Sequence, residues 1–233
     1  MGKGWKKAAK SENAAKKGKI FTKLAREIAV AAKLGGPDPE GNARLKLAIS
    51  VARAESCPKD TIERAIKKGS GQLDDGAIIE EVTYEGTGPY GVGILVECQT
   101  DNRNRTVGEI RNIFRRHNGN LGESGSCLWM FDRLALITGK KSAVSDPEED
   151  AIEVGADSVE KNDDGSFSFY GAPNEVESIR SALLSRGWEI SVAERTYVAK
   201  NQTDLTEEQR TEIQALLEDL DDNDDSHRIH ATV

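Results

Sequence analysis

At 233 residues, 37% hydrophobic and 31% charged, the chain has room for two or three small domains and the composition of a folded, polar protein. No run nears the roughly 18 consecutive apolar residues of a membrane span, and the opening MGKGWKKAAKSENAAKKGK lacks the apolar centre of a secretory signal. The net charge of −8 conceals a division, because residues 1–70 hold 17 Lys and Arg against 7 Asp and Glu while the remainder is strongly acidic. A basic head on an acidic body points to a polyanion-facing end, with a merely solvated charged surface as the alternative.

The head reads as helical. Within KIFTKLAREIAVAAKL (19–34), Ile20, Phe21, Leu24, Ile28, Ala31 and Ala32 share one side, and Lys19, Lys23, Arg26 and Lys33 the other. Gly35-Gly36-Pro37 stops this helix, and its leading arm, Lys3 to Lys19, can be unfolded in isolation. A second helix over 43–54 buries Leu45, Ala48, Ile49 and Ala52. A third starts at Asp60, with Glu63 completing a capping-box-like pattern and Gly69 as its stop. The result is a small helical bundle with a basic outer stripe, followed by a linker, SGQLDDG (70–76).

Beyond the linker the period changes to that of strands. EEVTYE (80–85) and GVGILVEC (91–98) are predicted strands, the second placing Val92, Ile94, Val96 and Cys98 on one face. Thr106 to about His117 is a predicted helix with Val107, Ile110 and Phe114 inward, capped by Thr106 with Glu109 three residues on. A loop, NGNLGESGS (118–126), leads to a predicted strand, CLWMF (127–131). A second unit follows: strand LALIT, helix 146–156 with an acidic first turn, strand SFSFY, helix 173–187 closed by Gly187, and strand 188–199. The chain ends in an amphipathic helix (206–220), the acidic run DDNDD and the short HRIHATV. Strands and helices in this order predict an α+β class with helices on antiparallel sheets.

No catalytic constellation emerges. GTGPYG (86–91) fits G-x-G-x-x-G, but a strand follows it where a dinucleotide site needs a helix, so it reads as a hairpin or loop. GKKS (139–142) resembles the end of a P-loop, but Leu134 stands where the first glycine belongs. His227 and His230 have no further ligands at metal spacing and read as part of a solvated tail. His117 sits at a helix C-terminus, a favourable place for a cation. Cys57, Cys98 and Cys127, far apart and odd in number, argue for a reducing compartment, the cytoplasm by default, and against a disulfide framework or zinc site. The expectation is a non-enzyme with no cofactor and no metal.

Two cationic features remain. Lys6, Lys7, Lys10, Lys16, Lys17, Lys19, Lys23 and Arg26 are the candidate phosphate contacts. With only Trp5 and Phe21 interleaved, they suit phosphates better than base stacking. The second is DNRNRT (101–106). Arg103 and Arg105 suit bidentate binding of phosphate or carboxylate beside a helix N-terminus, and Arg111, Arg115 and Arg116 extend the charge. The alternative is an internal ion-pair network with the acidic surface.

GKIFTKLAREIAVAAKLGGPDP, PKDTIERAIKKG, YEGTGPYGV, DNRNRT and LGESGSCLWMF, in this order and spacing, resemble the YebC/PmpR family of regulatory proteins from about Gly18 to the C-terminus. The resemblance implies a non-enzymatic, mainly cytoplasmic protein of three domains. These are a basic helical domain (1–78), an α+β domain (79–133 with 204–233) and an α+β domain (134–203) inserted in the second. It implies a DNA-binding transcriptional regulator, while other members look like translation factors acting with the ribosome on ribosomal or transfer RNA. The opening Gly4-Trp5-Lys6-Lys7-Ala8-Ala9-Lys10 departs from the family's Gly-His-Ser-Lys-Trp start, keeping the charge but not the His or Arg.

Overall fold

The computed structural model describes residues 4–73, 78–142 and 146–233, with side chains from residue 17 onward. The arm and the first helix are one continuous helix, α1 (Gly4–Gly35). Its arm is rich in alanine and lysine and free of proline, so nothing interrupts the backbone ladder. Gly36, at φ +86°, turns the chain out of it. Asn42 then joins two helices. Its amide donates to Ala31 O and Gly36 O, and its Oδ1 caps α2 (Ala43–Ala54) by accepting from the Leu45 N–H.

Helix α3 (Lys59–Gly69) starts directly after Pro58 without a side-chain cap, so the expected Asp60 capping box is corrected. Pro58 supplies the non-helical entry, and Asp60 lies inside the first turn, where its charge still faces the helix dipole. Gly69 is also more than a stop, since a Cβ there would stand 2.1 Å from Ala29 O, and its bare backbone lets α3 lie against α1. Ile28, Leu45, Ile49, Ala52 and Ile62 form the core of the head.

The next sheet contains β1 (Glu80–Thr87), β2 (Gly93–Thr100), β3 (Asn120–Leu121) and β8 (Ser226–Ala231) in the order β3-β1-β2-β8, all antiparallel. GTGPYG is the hairpin between β1 and β2, with Tyr90 and Gly91 at positive φ. Helices α4 (Arg103–Arg116) and α7 (Glu207–Asp221) cover one face, where Val92, Ile94, Val96 and Cys98 meet Ile110, Phe114, Ile213 and Leu216. The head and this sheet make one compact unit, through Leu128 and again over Thr203–Ala231.

Two local expectations are overturned here. HRIHATV is no solvated tail: its alternation places Ile229 and Ala231 in the helix-side core while His230 reaches Glu97, so it pairs with β2 as β8. CLWMF is not a strand at its start. Leu128–Met130 form a 3₁₀ turn because the amides of Cys127 and Leu128 are taken by the Glu85 carboxylate.

The second compact unit, Trp129–Gln202, is another antiparallel sheet, β5-β6-β4-β7, from β4 (Phe131–Lys140), β5 (Ser158–Lys161), β6 (Phe167–Gly171) and β7 (Glu189–Ala199). Helices α5 (Pro147–Val154) and α6 (Val176–Ser185) pack on it around Ile137, Phe169, Ile179, Leu183 and Trp188. The buried Asp150 carboxylate receives Lys141 Nζ at 3.0 Å, Arg186 Nε at 2.6 Å and Trp188 Nε1 at 2.9 Å. The fold is thus mixed α and β with two four-stranded antiparallel sheets, the second unit lying within the chain of the first. Among the described residues no helix is long and apolar enough to cross a membrane.

Candidate nucleic-acid interface

Helical spacing sets Lys19, Lys23 and Arg26 along one side of α1. Facing them is the acidic turn after α7, in a row of ion pairs. Lys19 Nζ lies 3.2 Å from Asp222, Lys23 Nζ 3.0 Å from Asp221, and an Arg26 guanidinium nitrogen 2.9 Å from Asp225. Arg26 also donates to Asp224 O. The row is graded: the Lys19–Asp222 side chains are 45% and 76% exposed, Arg26 and Asp225 only 20% and 2%. Exposed pairs of this kind contribute about 0–1 kcal/mol, whereas breaking a buried one costs several.

Asp225 is the centre of the arrangement. Thr106 donates its hydroxyl to it at 2.6 Å, Thr100 lies at 3.2 Å and Arg105 Nη2 at 2.9 Å. Burial alone would raise this carboxyl, but Thr106, Arg105 and the charge of Arg26 outweigh it and hold the group below its ordinary range. This also explains why Thr106 is not the cap of α4. Asn102 caps, accepting the Arg105 N–H at 3.1 Å, while Thr106 lies inside the helix with its hydroxyl turned to Asp225. Asparagine at the extended position before the helix does this at least as well as threonine.

The candidate cations are therefore placed as follows. Lys19, Lys23 and Arg26 face carboxylates of the α7 turn. Arg103 Nε pairs with Glu80 at 2.6 Å, and Arg105 with both Asp225 and Asp101. Lys17 and Arg111 are exposed. The side chains of Lys6, Lys7, Lys10 and Lys16 lie outside the described residues.

Sequence reasoning missed a second junction. Arg44 grips Glu27 through two bonds of 2.7 and 2.9 Å and reaches Glu81 at 2.7 Å, and Gln99 donates to Glu27 at 2.6 Å. Burial opposes the Glu27 charge, but these partners outweigh it and lower its carboxyl. The signal was present in outline: Glu27 is the lone acid in the basic stretch 19–34.

His227 Nε2 lies 3.4 Å from Glu27 but makes no hydrogen bond. Burial, with Arg228 nearby, pushes this imidazole down to about 4, against the pull of Glu27 and Glu97. Between the ordinary 6.5 and about 4 the unfolded chain binds a proton here that the folded chain refuses, so stability falls as pH drops through that window. Urea titrations at pH 7 and pH 4.5 should show this loss, and His227→Gln should flatten it; an unchanged slope would remove His227 as its source.

Similarity to known proteins agrees with this architecture. Residues 79–233 match the family model described as the TACO1/YebC second and third domain, and residues 3–72 match the TACO1/YebC protein N-terminal domain. The chain belongs to this family. A protein of Bdellovibrio bacteriovorus is 58% identical over 233 residues, covering 100% of both chains. One of Desulfotalea psychrophila is 46% identical over 228 residues, covering 97% of this chain and 90% of its own. Both are named probable transcriptional regulatory proteins. The crystal structure of a conserved hypothetical protein from Aquifex aeolicus superposes with a TM-score of 0.84 at 42% identity, covering 94% of this chain and 90% of that one.

Proposed function

We propose that the chain is a non-enzymatic, cytoplasmic regulator of gene expression that binds nucleic acid, with DNA as its ligand, through phosphate contacts from Lys6, Lys7, Lys10, Lys16, Lys17, Lys19, Lys23 and Arg26. The supporting observation is the row of α1 cations set against an equal row of carboxylates. A helix side that holds Asp222, Asp221 and Asp225 in line is built to hold anionic oxygens in line, and phosphates offer the same chemistry. Nucleic acid takes the outer positions first, because the exposed Lys19–Asp222 pair yields at little cost, whereas Arg26, paired with the buried Asp225, is the last to engage. The basic helical part (1–78) is in this reading the binding domain, 79–133 with 204–233 its platform, and 134–203 an inserted domain. The names of the relatives support the regulatory role.

Neutralising the outer carboxylates tests the competition. Asp221→Asn with Asp222→Asn should tighten duplex DNA about threefold to tenfold and leave stability within about 1 kcal/mol of wild type. Unchanged affinity would mean that the acidic turn does not occupy the binding side. Crosslinking in cells followed by sequencing tests the ligand itself. Promoter-region peaks are expected, and ribosomal RNA enriched without them would exchange the DNA regulator for a ribosome-associated translation factor.

A further inference from the structure

Helix α4 presents a second cationic surface. It buries Thr106, Ile110, Ile113 and Phe114. On the opposite side, at helical spacing, run Asn104, Gly108, Arg111, Asn112 and Arg115, all exposed except the half-buried glycine. No carboxylate stands on this ridge, although over 79–128 and 203–233 acidic side chains outnumber basic ones more than two to one. The helix's other arginines are engaged: Arg103 with Glu80, Arg105 with Asp225, Arg116 with Asp219. Among the described residues Arg111 and Arg115 carry no ion pair, and they stand one turn apart, where like charges repel and destabilise a helix. The helix dipole offsets this for Arg115 in the last turn but not for Arg111 in the middle.

We infer that this ridge is a second contact for the phosphate backbone of the nucleic acid held by α1, a reading that rests on the function proposed above. Arg111 and Arg115 supply charge one turn apart, and Asn104 and Asn112 supply neutral donors beside them. Gly108 leaves the helix open between them, with nothing within 4 Å of where a Cβ would stand. The helix that carries the ridge meets α1 at its first turn, because Arg105 on α4 and Arg26 on α1 share the Asp225 carboxylate. Of the arginines that DNRNRT and its helix offer, Arg111 and Arg115 are the two that meet a phosphate without first giving up a carboxylate, as Arg103, Arg105 and Arg116 must.

Gly108→Glu provides a sharp test, since it adds a carboxylate to the ridge at an open position and replaces a poor helix former. The full-length chain is titrated with a labelled DNA duplex and a labelled RNA hairpin across a range of salt. Gly108→Glu and Arg111→Ala with Arg115→Ala should each weaken binding about tenfold or more. The arginine pair should also lower the slope of log K against log salt by about 1–2. Melting temperatures should stay level or rise, and Arg116→Ala, off the ridge, should bind as wild type. Wild-type binding with undiminished binding by both ridge variants would overturn the inference, as would an equal loss in Arg116→Ala. A wild-type chain that binds neither probe would instead overturn the α1 reading on which it rests.

Discussion

Replacing Asp225 with alanine is expected to cost about 3–5 kcal/mol of folding stability, the usual penalty for breaking a buried ion pair from one side. The carboxylate is only 2% exposed and serves Arg26 from α1, Arg105 and Thr106 from α4, and Thr100 from β2. Its removal leaves two guanidinium groups facing each other, while the Thr100 and Thr106 hydroxyls lose its oxygens but keep each other and Asn102 O. Asp225→Asn should cost less, because it keeps the volume and one acceptor oxygen but loses the charge. The carboxyl is held below its ordinary 3.8, so its contribution is fully present above that pH and is lost as pH falls through the depressed folded value. Urea unfolding should therefore show a large gap between wild type and Asp225→Ala at pH 7 that narrows as pH falls below the ordinary 3.8. A gap below about 1 kcal/mol at neutral pH would show that the junction is held elsewhere, with Glu27 and Arg44 the next candidates.

Glu85→Gln should be the second large effect, about 3 kcal/mol. This carboxylate is 6% exposed and accepts the N–H groups of Gly125, Cys127 and Leu128 at 2.6, 2.9 and 2.8 Å. An amide cannot accept all three, and each buried donor left unmade costs about 1–3 kcal/mol. Burial works to raise the Glu85 carboxyl, but the three donors outweigh it and keep the group ionised at neutral pH. Hydrogen exchange reports this directly: the amides of residues 125, 127 and 128 should lose protection in Glu85→Gln while those of β2 keep it. Retained protection at all three would mean that the loop holds itself without the carboxylate.

These two carboxylates also mark where sequence reading stopped. Helices and strands were largely legible because the apolar period changes from helix to strand near residue 80, and the faces named in advance, such as Val92, Ile94, Val96 and Cys98, lie in the core. Glu85 looked like the polar end of an ordinary strand, and nothing near it in sequence shows that its partners lie about 40 residues on. Asp225 looked like one acid in a solvated run, while its partners Arg26 and Arg105 lie far away in the chain. Local patterns report periodicity and caps, but not which distant opposite charge the fold brings near. Even the cap of α4 was misplaced by four residues, since Asn102 and Thr106 both suit the position and only tertiary contact with Asp225 draws Thr106 inward. The basic side of α1 was legible as a charge pattern, whereas its carboxylate row was not.

That side is the centre of the proposed function, and one measurement addresses it directly. The affinity of the full-length chain for a labelled DNA duplex, followed from about 50 to about 200 mM salt, should give a slope of several units, as expected for a helix that contacts about five to eight phosphates. Lys17→Ala, Lys19→Ala and Lys23→Ala combined should lower that slope by about 2–3 and weaken binding at every salt concentration, with little change in melting temperature. An affinity independent of salt, or a triple variant that binds as wild type, would contradict phosphate binding by this helix.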